Sequence, residues 1–155
     1  MKGLAGLLGL MLVLVGVVAC QSEAYAPQSG DPGGLLGLAA GECKGQAPTV
    51  TCTGGACAGT SGADVILGTT GVDIIDAGLG ADLVCAGGGD DDVELGAGAD
   101  RVSLDAGADQ ARGQEGDDYI EGGDGNDHIV GGLGFDICRG DGGFDFFTDC
   151  ETVRE

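Results

Sequence analysis

The chain has 155 residues, 35 of them glycine, no tryptophan, and a formal net charge of −20 at pH 7. So few aromatic and branched apolar side chains under so much like charge exclude a conventional large-core enzyme and border on the composition of disordered segments. With 6 Lys and Arg against 26 Asp and Glu, nucleic acid and anionic headgroups are excluded as partners of the folded part, and any partner recognised through charge is a cation.

The first predicted element is an export segment. Lys2 precedes an almost unbroken apolar run from Leu4 to Ala19, closed by Cys20. That run is shorter than the ~20 residues of a bilayer-spanning helix. A basic start, a short apolar core and a small residue at its end read as a secretory signal. Val17-Val18-Ala19-Cys20 resembles a bacterial lipobox. The resemblance implies cleavage before Cys20, lipidation there and, with Gln21 rather than Asp following, sorting to the outer membrane or cell surface. Several acyl chains on one residue anchor a protein where one chain does not, so the lipid is the expected membrane contact. An ordinary signal peptide with an incidental Cys20 is the competing reading. Residues 1–19 are therefore expected to be a signal peptide. Residues 20–42, rich in Gly, Ala, Pro and Ser, read as a flexible tether, and residues 43–58 as a cysteine-containing N-terminal cap.

From Gly59 the chain divides without a gap into ten nonapeptides ending at Thr148. The fourth position is glycine in every unit: Gly62, Gly71, Gly80, Gly89, Gly98, Gly107, Gly116, Gly125, Gly134 and Gly143. The sixth is aspartate in every unit: Asp64, Asp73, Asp82, Asp91, Asp100, Asp109, Asp118, Asp127, Asp136 and Asp145. The eighth is apolar throughout: Ile66, Ile75, Val84, Val93, Val102, Ala111, Ile120, Ile129, Cys138 and Phe147. Glycine makes up about 7% of ordinary sequence, so this register is not accidental.

One unit reads as a turn followed by a three-residue strand. An invariant glycine suits a backbone that passes through positive φ or close to another chain segment. The middle strand residue faces opposite to its neighbours, which puts position eight on one face. A single unit cannot bury that residue, but stacked units can. Two units make one coil, and five coils at about 4.8 Å per layer give a roll about 24 Å long. Its aspartates then fall into two columns, where carboxylates about 5 Å apart repel by roughly 1 kcal/mol per pair even in water. Carboxylates and turn carbonyls at layered spacing form an oxygen-only environment of irregular geometry, which suits Ca2+ better than Mg2+. Five turns per column leave four gaps in each, or about eight sites. Residues 59–148 carry 20 acidic and 3 basic side chains, and eight divalent ions nearly cancel that excess.

The pattern resembles the RTX, or hemolysin-type, calcium-binding nonapeptide repeat, with consensus GGxGxDxUx. The resemblance spans residues 59–148 and implies an all-β, right-handed parallel β-roll with Ca2+ held between turns by the position-six aspartates and backbone carbonyls. Only the units at Gly122 and Gly131 open with two glycines. Ala77, Ala86, Leu95 and Leu104 replace the first glycine elsewhere, and the unit 104–112, with only Ala111 at position eight, is expected to be the weakest layer.

Beyond Cys20, six cysteines remain in an exported chain, which suggests disulfides. Of the fifteen connectivities that six cysteines allow, the reading favours Cys138–Cys150 across the end of the roll, Cys52–Cys57 as a small loop, and Cys43–Cys85 fastening the leading segment. Residues 149–155 then form a C-terminal cap, because open sheet ends invite aggregation. No CxxC pair is present, which disfavours zinc. His128, the sole histidine, is expected at the surface. Within Asp90-Asp91-Asp92 the middle residue belongs to the metal column and its neighbours face outward. Tyr119, Phe135, Phe144, Phe146 and Phe147 are expected to cover the C-terminal end. No nucleophile–base constellation is recognisable.

The expected function is therefore non-enzymatic: a calcium-binding surface lipoprotein whose folding depends on the ion, serving adhesion or envelope and matrix structure by family analogy. The alternative is an accessory module working with a carbohydrate-active or hydrolytic enzyme and recognising a polysaccharide or other surface partner. In that case the chemistry lies elsewhere, since residues 21–58 are too few for a catalytic domain.

Overall fold

The computed structural model describes residues 42–154. The signal segment, Cys20 and the tether up to residue 41 lie outside the described residues. Among those residues all regular structure is β, in two parallel sheets. One sheet orders β1 (Val50–Thr51), β3 (Val65–Leu67), β5 (Leu83–Cys85), β7 (Arg101–Ser103), β9 (Tyr119–Asp124), β11 (Ile137–Gly142) and β13 (Thr152–Arg154). The other orders β2 (Gly55–Ala58), β4 (Asp73–Asp76), β6 (Asp92–Ala97), β8 (Gln110–Glu115), β10 (His128–Leu133) and β12 (Phe146–Thr148). Consecutive strands alternate between sheets, so the chain winds into a β-solenoid of about six turns.

The register follows from the repeat. Leu83 lies opposite Val65, Arg101 opposite Leu83, Tyr119 opposite Arg101 and Ile137 opposite Tyr119, each two nonapeptides on. Strand pairing extends past the repeat at both ends, where Val50 meets Ile66 and Thr152 meets Ile137. Those flanking strands raise the turn count above the five coils expected from the repeat alone.

Position eight forms the interior. Ile66, Ile75, Val84, Val93, Val102, Ala111, Ile120, Ile129 and Cys138 are all buried, and Phe147 packs against them partly exposed. A second interior column, which the repeat register did not suggest, comes from position one. Along β6 the burial alternates, so Val93 and Leu95 face inward together, as the two-residue strand period requires. Ala77, Ala86, Leu95 and Leu104 are completely buried. Leu104 shares one apolar cluster with Ala111, so the layer expected to be weakest draws its volume from the head of its unit.

This core is a narrow apolar cluster between the two sheets, so a void within it has few neighbours to fill it. Ile120→Ala is expected to lower the unfolding free energy by about 2–5 kcal/mol. A urea midpoint within error of the unsubstituted protein would show that position eight does not bear the load assigned to it.

Three disulfides form: Cys43–Cys85 and Cys138–Cys150 join the ends to the body, and Cys52–Cys57 closes a small loop in the leading segment. Cys43–Cys85 clamps a tight turn, closed by paired Cys43 and Gln46 backbones, onto β5. Cys138–Cys150 ties β11 to the segment before β13, and so restrains a sheet end that would otherwise fray or pair with another chain.

Candidate metal centre

The turns of the roll carry the position-six aspartates inward. Asp64, Asp73, Asp82, Asp91, Asp100, Asp109, Asp118, Asp127 and Asp136 are buried, and only Asp145, in the last repeat, is half-buried. Their Oδ1 atoms form a ladder in which each accepts the backbone N–H of the aspartate one coil earlier. Asp64 N–H donates to Asp82, Asp82 to Asp100, Asp100 to Asp118 and Asp118 to Asp136, at 2.7–2.9 Å. In the second column Asp73 donates to Asp91, Asp91 to Asp109, Asp109 to Asp127 and Asp127 to Asp145, at 2.7–3.0 Å. At the end of the first column Glu151 replaces the next aspartate and accepts Asp136 N–H at 2.6 Å.

The second carboxylate oxygen is where the sites differ. Oδ2 of Asp82, Asp91, Asp100, Asp109, Asp118, Asp127 and Asp136 is buried with no hydrogen-bond partner, as is Oδ1 of Asp73. Buried polar atoms are nearly always paired, and an unpaired buried carboxylate costs several kcal/mol. A run of them along two columns is therefore the signature of a missing positive partner.

The glycines show what surrounds these oxygens. A Cβ on Gly113 would run into Asp118 Oδ2 and the Gly131 carbonyl of the following coil; on Gly122, Asp127 Oδ2 and the Gly140 carbonyl; on Gly131, Asp136 Oδ2 and the Asp149 carbonyl. These three orphan oxygens thus face the gap to the next coil, beside a main-chain oxygen. Where Ala77, Ala86, Leu95 and Leu104 replace that first glycine, the side chain enters the core and the aspartate oxygen stays unpartnered. The substitution does not cap the carboxylate.

Among the described residues no three His, Cys, Asp or Glu side chains converge on one point, so a cation here would take much of its coordination from carbonyls. Every donor in reach is oxygen, since all six cysteines of the described residues are disulfide-bonded. That donor set fits a hard divalent ion accepting many oxygens at flexible geometry, which is Ca2+ rather than a thiophilic metal.

Two turns depart from the rest. Thr60 donates both its backbone N–H (2.7 Å) and its hydroxyl (2.8 Å) to Asp64 Oδ2, and the Thr49 hydroxyl donates to Oδ1 at 2.9 Å. Thr69 repeats the pattern on Asp73 Oδ2, at 2.7 and 2.9 Å. The Thr60 hydroxyl leads the causes that hold the Asp64 carboxyl below its ordinary range. The expected set of ten equivalent aspartates therefore divides into eight with open gaps or chain-end positions and two already saturated or nearly so. The readable signal was threonine at position two in the first two units only.

Burial, reinforced by neighbouring carboxylates, pushes Asp82, Asp91, Asp118, Asp127 and Asp136 up, and Asp100 and Asp109 to about 6. An unfolded aspartate titrates near 3.9, so between about pH 4 and 6 the metal-free fold binds more protons than the unfolded chain. Its stability then rises as pH falls through 6 and is lost as pH climbs above it. In chelator, strand signal in circular dichroism is expected to grow as pH is lowered from 7 to about 5, the reverse of ordinary acid denaturation. With excess Ca2+ the same acidification should weaken ion binding, since protons compete for the ligands. Metal-free protein that loses strand signal on acidification would contradict the buried ladder.

The remaining candidates take other roles. His128 lies on the outer face of β10 with its ring tilted against Phe146 at 5.2 Å. Asp90 accepts Ala108 N–H and Asp92 pairs with Arg112, so neither joins Asp91 in a catalytic pair. Asp117 and Asn126 make the same contact as Asp90 in later coils, accepting Phe135 and Phe144 N–H. Phe135, Phe144 and Phe146 are largely exposed. A groove of about 360 Å³ runs between Lys44, Arg101, Tyr119 and Glu121. Its walls are tied by Lys44–Glu121 and by Arg101 lying 5.2 Å over the Tyr119 ring.

A scan against protein families matches the RTX calcium-binding nonapeptide repeat in four copies, over residues 58–93, 86–111, 104–138 and 112–147. The chain belongs to the RTX calcium-binding nonapeptide repeat family. The matched region contains every position-six aspartate described above, so the orphan oxygens lie inside the family's own repeat. A search of curated proteins finds no match.

Proposed function

We propose that this RTX-repeat protein is a non-enzymatic, surface-anchored calcium-binding protein whose folding is coupled to Ca2+. One observation carries the reading: successive coils bury carboxylates that each keep an oxygen without a hydrogen-bond donor. The ion supplies charge compensation and coordination between coils. Asp82, Asp91, Asp100, Asp109, Asp118, Asp127 and Asp136 would hold it, with Asp145 at the end of the second column. The chain's own part is to bring these residues into register, through the eighteen-residue pairing of its strands, and to shield them from water. Export agrees with three disulfides, which persist in oxidising compartments. Anchoring rests on the lipobox-like end of the leader at Cys20, and a rigid rod on a lipid tether suits adhesion or envelope and matrix structure.

Calorimetric titration of chelator-stripped protein tests the reading. Ca2+ is expected to bind at several sites with a cooperative gain of strand signal, and Mg2+ at equal concentration to do so far more weakly, because it demands near-ideal octahedra. No heat and no structural change with Ca2+ would refute the proposal. Mass spectrometry of the mature N-terminus tests the anchor separately: unmodified Cys20 in the membrane-extracted protein would remove it.

A further inference from the structure

The first two turns differ from the other eight in backbone as well as in hydrogen bonding. From the third unit on, positions two and four both lie at positive φ, as at Gly78 and Gly80, Gly96 and Gly98, or Asp105 and Gly107. Non-glycine residues are forced into that region at Asp105, Gln114 and Asp141, so the conformation is imposed by the turn and not chosen by the residue. In the first two units neither Thr60 and Gly62 nor Thr69 and Gly71 adopts it. There the threonine hydroxyl sits at the centre of the turn, accepting the N–H of the position-four glycine at 3.1–3.2 Å and donating to the aspartate.

The orphan Oδ2 of Asp118, Asp127 and Asp136 faces the gap between its own coil and the next, and in the turns of Asp64 and Asp73 the corresponding oxygen is already held by threonine. The same stretch is enclosed covalently, because Cys43–Cys85 spans both threonine turns and Cys52–Cys57 closes the loop before them. A covalent loop of that kind stabilises mainly by restricting the unfolded chain.

We infer that Thr60 and Thr69 stand in for the cation, so that residues 43–85 form a metal-independent folded cap on which the calcium-dependent coils build. The inference rests on the calcium reading above and refines it. Ion-binding gaps number seven, one for each orphan Oδ2, rather than the eight counted from repeats. The seventh lies between Asp136 and the C-terminal segment, where Glu151 and the Asp149 carbonyl take the place of a further repeat. Folding then starts from a preformed end and proceeds coil by coil as ions bind, as repeat proteins allow.

Two measurements on the full oxidised chain test this. The first is hydrogen exchange of the unsubstituted protein in chelator at neutral pH. Amides of β3, β4 and β5 are expected to stay protected while those of β8 to β12 exchange freely. Uniform exchange along the repeats, or protection confined to the C-terminal coils, would overturn the inference. The second is calcium stoichiometry by native mass spectrometry. Thr60→Gly and Thr69→Gly, which remove the hydroxyl and permit positive φ, are each expected to add one ion, whereas Asp64→Asn should leave the count unchanged. A count lowered by Asp64→Asn, or unmoved by both glycine variants, would overturn it. If the unsubstituted protein takes up no Ca2+ and exchanges alike with and without chelator, the calcium reading and this inference fall together. If it binds ions but the threonine turns melt with the rest, only this inference falls.

Discussion

Chelation at neutral pH is expected to unfold the coils beyond Cys85, with loss of strand signal and a large rise in the radius of gyration by small-angle scattering. The magnitudes decide it. Eight carboxylates are buried with an oxygen that no donor reaches, seven through Oδ2 and Asp73 through Oδ1, and each such buried, uncompensated charge costs several kcal/mol. A whole domain is stabilised by only about 5–15 kcal/mol, so a few uncompensated sites exceed everything the narrow core provides. Repulsion within the column adds to this, since Asp82, Asp91, Asp100, Asp109, Asp118 and Asp127 are each raised by an aspartate one coil away as well as by burial. Binding reverses the balance by mass action, contributing about 2.7 kcal/mol for each site when Ca2+ stands at one hundred times its Kd. Chelated protein as compact and as heat-resistant as the loaded form would show that the ladder tolerates its own charge.

Gly116→Ala is expected to be the most damaging single substitution in the repeats, costing more than about 4 kcal/mol. Gly116 lies at φ 133°, where a side chain is strained in any surroundings, and a Cβ there would overlap the Gly98 carbonyl of the preceding coil. The same overlap recurs for Gly107 on Gly89, Gly125 on Gly107 and Gly134 on Gly116. The position-four glycines are thus stacked backbone on backbone, and no rotamer change relieves the clash. The coils would have to separate, breaking the Asp82 to Asp100 to Asp118 ladder in the same column. Gly62→Ala is the control. That glycine is outside positive φ, and a Cβ would meet only Thr60 Oγ1 at 3.9 Å, so its effect should fall within about 1 kcal/mol. Urea unfolding in saturating Ca2+ measures both, and equal effects at the two glycines would contradict the stacking argument.

The difference between these two glycines marks how far the repeat could be read directly. Both occupy position four of a nonapeptide, and nothing in the glycine itself distinguishes them. The distinction lies two residues earlier, where Thr60 and Thr69 stand in the first two units and Gly, Asp or Gln in the others. A hydroxyl at that point can saturate a carboxylate, but whether it does depends on the turn closing around it. Position one was ambiguous for a related reason. Ala77, Ala86, Leu95 and Leu104 read as defects in a glycine pattern, whereas the roll turns them into its second interior column. The closure of the last coil was hidden too, because Glu151 lies outside the nonapeptide register and meets Asp136 only through the course of the chain after β12.

Periodicity by itself determined the all-β stacked architecture, the inward row at position eight and the demand for positive charge along two columns of aspartate. It could do so because every unit solves the same local problem, and identical neighbours leave one way to stack. Which carboxylate oxygens stay unpartnered and which are saturated by threonine were decided only by the tertiary structure. Those properties depend on how each turn closes and on atoms one coil away, from 4 to 18 residues along the chain, where direction and distance count and spacing alone is silent.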